Sequence, residues 1–339
     1  MKTKGYYNMG RATFSKHITS DELTAQINPE NLKLMKRFLK DKLTRASEKT
    51  IKVYESNLTI FFTWNLLENN NKFFIDIKKI EFSDFFSYVS SELKVGSARM
   101  NNFRSVLSSL SIFIERFFDV EYPGFRNVIL KVIESSSKEL RREKTILTDS
   151  QIENLLQHLS EKNKQQAAWL ALAICSGARF SELLRMDVDL IDENNTAFGD
   201  IFLQTKKPIR TKGRNKGKML YKYVLRDKFL PYHKAWMIER DEIMKSKNQT
   251  HNSMFIQRDG TPATEGVIRG WIESFEEFLG VPTYPHAFRH YLTTLLSKKK
   301  IPAELIQSIF GWESDSMVRL YDDQESRDKE WVELENLRT

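Results

Sequence analysis

The chain has 339 residues, a length that predicts two domains, each large enough for its own core. Its 40% apolar and 12% aromatic residues exclude a disordered chain, and its net charge of +8 (pI ≈ 9.2) points toward an anionic partner. A single cysteine, Cys175, excludes a disulfide framework within the chain and fits a reducing, cytoplasmic setting.

The first twenty residues, MKTKGYYNMGRATFSKHITS, hold no apolar signal core, and residues 1–27 read as a polar N-terminal arm. Asn28-Pro29-Glu30 predicts a helix start with proline at the first helical position. Leu32, Met35, Phe38, Leu39 and Leu43 follow at helical spacing. A second helix opens at Ser47 and carries Ile51, Tyr54, Leu58, Phe61 and Phe62. A third begins near Phe82-Ser83-Asp84 with Phe85, Phe86, Val89 and Leu93. After Gly96-Ser97 a fourth carries Met100, Phe103, Val106, Leu107, Leu110 and Phe113, and a shorter one is expected after Pro123-Gly124. With few strand signals, residues 28–135 predict an all-helical bundle. Residues 136–146, within and after SSSKELRREK, lack an apolar stripe and read as a linker. Its Arg141 and Arg142 are either solvated or set along a DNA backbone.

Leu147-Thr148-Asp149-Ser150-Gln151 opens a second domain, expected over residues 147–324, with a helix-capping signal. A helix follows through Ala167–Cys175. Its apolar run AAWLALAIC is too short to span a bilayer and buries Cys175 as an inert thiol. After SGAR and the helical turn SELLRM comes a tight turn at Asp192–Asn195. Ile201-Phe202-Leu203 and Leu220–Leu225 then predict a long β-hairpin. Between Lys206 and Lys228 ten basic residues face one acidic residue, so the basic balance is concentrated here. The pattern suits a DNA-binding stretch, with Lys206, Lys207, Arg210, Arg214, Lys216 and Lys218 as candidate contacts, rather than a merely solvated loop. Residues 228–279 read as mostly helical, interrupted at Gln249–Ser253 and Asp259–Pro262. Pro285-His286 starts one further helix, Pro302 another, and Gly311 ends the latter. The tail, residues 325–339, sets Trp331, Leu334 and Leu337 on one face.

The stretch Tyr284–Tyr321 brings His286, Arg289, Trp312 and Tyr321 into one short segment, and SGARFSELL adds Arg179 on what reads as a buried helix. Guanidinium forks match phosphate oxygens in a bidentate way. His286, three residues from Arg289 on a helix, shares its face and can donate or shuttle a proton. The indole of Trp312 is one more donor, and the phenol of Tyr321 is a nucleophile. Such a set can grip a phosphodiester and attack it. No glycine-rich nucleotide cradle and no metal-ligand spacing occurs, so neither cofactor nor metal is expected. Taken singly, each residue also has a plainer reading: His286 as a hydrogen-bonder, Arg179 as the partner of Glu182, and Trp312 and Tyr321 as core.

Taken together, SGARFSELL, PHAFRH and IFGWESDSMVRLY resemble the arginine, His-x-x-Arg and tyrosine boxes of the tyrosine recombinases, the phage integrase and Xer type. SEKTIKVYESNLTIFF and SARMNNFRSVLSSLSIF resemble the helical core-binding domain of that family. The resemblance spans about residues 30–325 and implies a mainly α fold with a small β-hairpin or sheet in the catalytic domain. The two domains, core-binding and catalytic, would form a C-shaped clamp around double-stranded DNA. It implies that Arg179, His286, Arg289 and Trp312 activate the scissile phosphate and that Tyr321 attacks it, leaving a 3′-phosphotyrosyl link. It also implies a hairpin lysine that protonates the leaving oxygen. Lys212 in Thr-Lys-Gly is the first candidate, with Lys206 and Lys216 as alternatives. Trp312 stands where histidine is commoner in the family. Arg104, Arg141 and Arg142 add candidate DNA contacts, and the tail would dock on a neighbouring protomer in a dimer or tetramer on DNA. No membrane partner is expected. The competing readings are a DNA-binding regulator of the phage-repressor kind that keeps the fold without the chemistry, and a type IB topoisomerase.

Overall fold

In a computed structural model, the structure describes residues 18–129, 145–211 and 219–312. These fall into two compact units, one within residues 18–129 and one formed by the rest.

The first unit is helical: α1 (Asp21–Gln26), α2 (Pro29–Leu43), α3 (Glu48–Glu68), α4 (Lys79–Ser91) and α5 (Ser97–Phe117). Asn28 and Ser47 cap the second and third through their side chains, as their sequence positions predict. Two expectations shift. Part of the polar arm, Asp21–Gln26, is helical, because Ser20 caps it and Asp21 and Glu22 face its positive end. Helix α4 starts at Lys79, three residues before Phe82, because Glu81 reaches back to the Lys78 N–H. The short helix expected after Pro123-Gly124 begins later than its signal: residues 125–128 are not helical, Ile129 is, and the chain from 130 to 144 lies outside the described residues.

The core of this unit is aromatic. Phe61 sits among Phe62, Trp64, Phe74, Phe82 and Phe85 with ring centroids 4.9–6.0 Å apart, mostly edge to face. The Asn69–Phe74 loop is pinned from inside. Asn31 and Asn65 both donate to the Lys72 carbonyl at 2.8 Å, and Asn31 accepts from the Phe74 N–H. Asn70 and Asn71 take left-handed backbone angles, which asparagine tolerates better than most residues.

The second unit is built around α7 (Lys164–Ser176), buried from Ala167 to Ser176. Helices α6 (Asp149–Lys162), α9 (Arg226–Ser246), α10 (Glu265–Leu279) and α11 (Pro285–Lys298) contribute to the same core. The one-turn helix α8 (Phe180–Leu183) follows α7, and α12 (Ala303–Phe310) ends the described chain. Cys175 is fully buried, and burial pushes its thiol up to about 12, so it is inert. Tyr291 on α11 donates to Asp149 at the start of α6 (2.7 Å).

The predicted hairpin is more divided than expected. Strand β2 (Phe202–Gln204) pairs with β1 (Thr196–Ala197) and with β5 (Tyr223–Leu225), whereas β3 (Ile209–Arg210) and β4 (Met219–Leu220) form a separate ribbon. Strand β1 is too short to show a period in sequence. The ladder of β2 with β5 runs on to Thr205 and ends where the Lys206 N–H turns to the Leu190 carbonyl, and Pro208, which has no N–H to donate, stands between there and β3. No described helix is long and apolar enough to cross a membrane.

His233 on α9 is stacked on Phe229 with centroids 5.0 Å apart, and burial pulls it down to about 4. Below about pH 6.5 the unfolded chain takes up a proton here that the folded chain refuses. Stability should therefore fall between pH 6.5 and 4 by roughly 2–3 kcal/mol from this residue, and His233→Gln should remove that part of the slope. Urea unfolding at pH 7 and pH 4.5 reads the difference. An identical acid slope in the variant would take His233 out of the account.

Candidate active site

The site starts at the end of α7. Gly177 closes that helix in a left-handed conformation (φ +53°), and its N–H bonds to the Ala173 carbonyl. Its own carbonyl then accepts a hydrogen bond from Arg289 Nη1 at 2.6 Å. A side chain at 177 has no room: a Cβ there would lie 1.9 Å from the ring of Phe310. The glycine thus lets α7 end, aims a carbonyl at Arg289 and admits the C-terminal end of α12 in one step.

Arg179 corrects the sequence reading. It does not lie on a buried helix. It caps α8 from the preceding turn, and its side chain is one-third exposed. Its backbone N–H and its Nη1 both donate to the Glu182 carboxylate, at 2.8 and 3.2 Å. The plainer expectation of an Arg179–Glu182 pair therefore holds, alongside the placement of Arg179 next to Arg289. Glu182 is fully buried and also holds Lys222 Nζ at 2.9 Å. Burial pushes the Glu182 carboxyl up, but Lys222 and Arg179 outweigh it and hold the group below the ordinary range.

Arg289 comes from α11, where Pro285 sets the first turn. Its guanidinium lies over the rings of Phe310 (4.9 Å) and Trp312 (5.0 Å), which stack on each other at 4.8 Å. Its Nη2 is buried and has no hydrogen-bond partner among the described residues. Burial, then the charge of Arg179, pulls Arg289 down to about 9, so it stays protonated at neutral pH. Trp312, expected as an indole donor, offers its ring face to this guanidinium. Gly311 ends α12 with φ +63°, and Leu220 of β4 occupies the space a Cβ would need.

His286 stands at the exposed N-terminal end of the same helix. Loss of hydration on its protein-facing edge, then the charges of Arg289 and Arg179, hold it below the ordinary histidine value. At neutral pH it is an uncharged imidazole, able to accept or donate.

Arg179, His286, Arg289 and Trp312 are therefore brought together. Lys212, Arg214, Lys216, Lys218, Arg141, Arg142 and Tyr321 lie outside the described residues, as does the tail with Trp331, Leu334 and Leu337. Lys206 and Lys207 are exposed beyond β2, and Lys206 pairs with Asp192 at 3.8 Å. Arg210 is exposed on β3, and its carbonyl accepts from Arg185. Arg104 sits half-buried on α5 in the first unit.

Lys222, Phe310 and Gly177 were not singled out from sequence. The signal for Lys222 was present: Tyr221-Lys222-Tyr223-Val224 alternates, and Lys222 shares the buried face of Val224. A lysine on such a face demands a buried carboxylate.

Gly177→Ala should lower stability by roughly 2–4 kcal/mol through overpacking and backbone strain. Gly311→Ala should cost about half as much, because the tip of Leu220 can swing aside. Denaturant unfolding of both variants gives the order, and equal losses would contradict the close packing of Phe310 on Gly177.

Residues 145–327 match the phage integrase family. The SPbeta prophage-derived recombinase-like protein YomM of Bacillus subtilis (strain 168) is 26% identical over 315 residues, covering 89% of this chain and 90% of its own length. The XerH site-specific recombinase bound to difH substrate, in a pre-cleavage complex, superposes with a TM-score of 0.65 at 17% identity, over 90% of this chain and 97% of XerH. A lambda integrase dimer bound to a COC′ core site gives 0.61 at 16% identity, over 84% and 96%. These two likenesses are of fold. The family match spans more than half of the chain, and the chain belongs to the phage integrase family, the tyrosine recombinases.

Proposed function

We propose that this protein is a site-specific DNA recombinase that cuts and rejoins DNA through a 3′-phosphotyrosyl intermediate on Tyr321. The observation that carries the reading is the gathering of Arg179, Arg289 and His286 beside one carboxylate, Glu182, which pairs with Arg179 and with Lys222 behind it, while Arg289 is held by the Gly177 carbonyl. Such a cluster holds excess positive charge where a phosphodiester gains negative charge on its way to substitution.

In this reading the two guanidinium groups take the non-bridging oxygens, and the buried Nη2 of Arg289 finds its acceptor there. His286, uncharged, donates one more hydrogen bond or carries a proton. The phenol oxygen of Tyr321 attacks phosphorus, and the bond to the 5′ oxygen breaks. The tyrosine proton goes to a base, and the departing 5′ oxygen takes a proton from the hairpin lysine, Lys212 by the family pattern. A second 5′-hydroxyl then attacks the phosphotyrosyl link, releases the tyrosine and completes strand exchange. The protein ester keeps the bond energy, so no ATP and no metal enter the scheme.

Double-stranded DNA is the partner. XerH was solved on its difH substrate and lambda integrase as a dimer on a core site. By analogy this chain assembles on paired half-sites. Arg104, the linker arginines Arg141 and Arg142, and the basic stretch from Lys206 to Lys218 then track the DNA backbone.

Lysing cells in denaturant and sequencing protein-linked DNA tests the proposal, with Tyr321→Phe beside wild type. Wild type should yield linked DNA at discrete sites, and the variant at least about 10³-fold less. Non-covalent occupancy of DNA sites with no linkage in wild type would overturn the recombinase and leave a DNA-binding regulator.

A further inference from the structure

Lys222 is the basic residue in this site that the reaction scheme does not use. Its side chain is 2% exposed and that of Glu182 is 0% exposed. A proton donor to a leaving oxygen has to come within hydrogen-bond reach of it, and a lysine enclosed at this depth and held by a carboxylate is poorly placed to do so. Its backbone is fastened on both sides. The Lys222 N–H donates to Thr205 Oγ1 at 3.0 Å, and the Thr205 N–H donates to the Lys222 carbonyl at 2.9 Å, extending the β2–β5 pairing by one step. The sheet thus fixes where the ammonium sits.

The charges around Glu182 then decide what Arg179 can do. Glu182 Oε2 takes the Arg179 backbone N–H and Lys222 Nζ, and Oε1 takes Arg179 Nη1. With Arg179 as sole partner, the pair would be neutral and would meet an arriving phosphate as a competitor for the guanidinium. With Lys222 beneath, the charge of Glu182 is already balanced. Arg179, whose side chain is 33% exposed, keeps its own.

We propose that Lys222 is a positioning residue, which balances the charge of Glu182 so that Arg179 remains a full cation for an incoming phosphodiester. The proposal rests on the recombinase reading for its substrate, though not for its charge argument. Lys222 also feels Arg289 and Arg179. Burial pulls its ammonium below the ordinary lysine range, the Glu182 carboxylate opposes this, and the two guanidinium groups add to it.

The test uses the full chain as wild type, Lys222→Met, and Lys222→Met combined with Glu182→Gln. Inorganic phosphate is the probe, titrated while the side-chain N–H signals of arginine are followed by NMR. The Arg179 signal is identified by its loss in Arg179→Lys. Wild type should show Arg179 responding to phosphate. Lys222→Met should bind phosphate about tenfold more weakly, because Glu182 now neutralises Arg179. The double variant, with the carboxylate gone, should return to within about threefold of wild type. Lys222→Met leaves a buried carboxylate short of a partner and can fail to fold. In that event the double variant alone decides, through its near-wild-type binding. No Arg179 response in wild type, wild-type affinity in a folded Lys222→Met, or a double variant as weak as the single one each overturns the proposal.

Covalent linkage to target DNA is scored on the same preparations. Linkage in wild type without the predicted phosphate order leaves the recombinase standing and removes the role of Lys222. The predicted order without linkage keeps the role of Lys222 and removes the recombinase.

Discussion

An excess of positive charge held in a partly closed site is the constraint on which the rest of the second unit depends. Among the described residues, Arg179 and Lys222 pair with one carboxylate, Glu182, and Arg289 lies close enough to feel its charge without pairing with it. Bringing like charges together away from water is unfavourable, and each neighbour of the cluster offsets part of that cost. The Gly177 carbonyl takes one N–H of Arg289, the faces of Phe310 and Trp312 take its positive plane, and Glu182 takes Lys222 and one edge of Arg179. Among the described residues, the positive charges outnumber the carboxylates, and the buried Nη2 of Arg289 has no hydrogen-bond partner. On the proposed reading an entering phosphodiester completes the cluster, a form of preorganisation in which the cost of gathering the charges is met on folding.

That constraint reaches back into the fold. The apolar run of α7 is anchored in the core so that its C-terminal turn can hold Gly177 and Arg179 at fixed places. Tyr291 ties α11 to the start of α6, and the same helix carries His286 and Arg289. Leu220, against Gly311, connects the basic ribbon β3–β4 to the end of α12 and so to Trp312.

Much of this was legible in the sequence, and for definite reasons. Local signals act over a few residues, so the caps at Asn28, Ser47 and Thr148 and the turn at Gly311 read correctly. Arg179, His286, Arg289 and Trp312 stood out because their residue types and spacing serve one chemistry. Contacts far apart in sequence were not legible. Nothing in SGARF says that Gly177 must stay bare to admit Phe310, 133 residues later, or that its carbonyl meets Arg289. Lys222 is one of ten basic residues in its stretch, and a charge count does not separate it from the others; only its alternation with Val224 does. The division of the predicted hairpin into a three-stranded sheet and a separate ribbon goes with the Lys206 N–H bonding to the Leu190 carbonyl, a contact that sequence spacing does not show.

On the proposed reading the two arginines act on the charge of a phosphate rather than merely on its position. The most direct measurement is single-turnover cleavage of a target duplex carrying either an ordinary phosphate or an uncharged methylphosphonate at the scissile position, by wild type and Arg289→Met. If the cluster balances charge, Arg289→Met slows cleavage of the ordinary duplex by about 10²–10⁴ and of the methylphosphonate duplex far less. An equal slowing on both substrates would contradict the account and leave Arg289 as a structural clamp between Gly177 and Phe310.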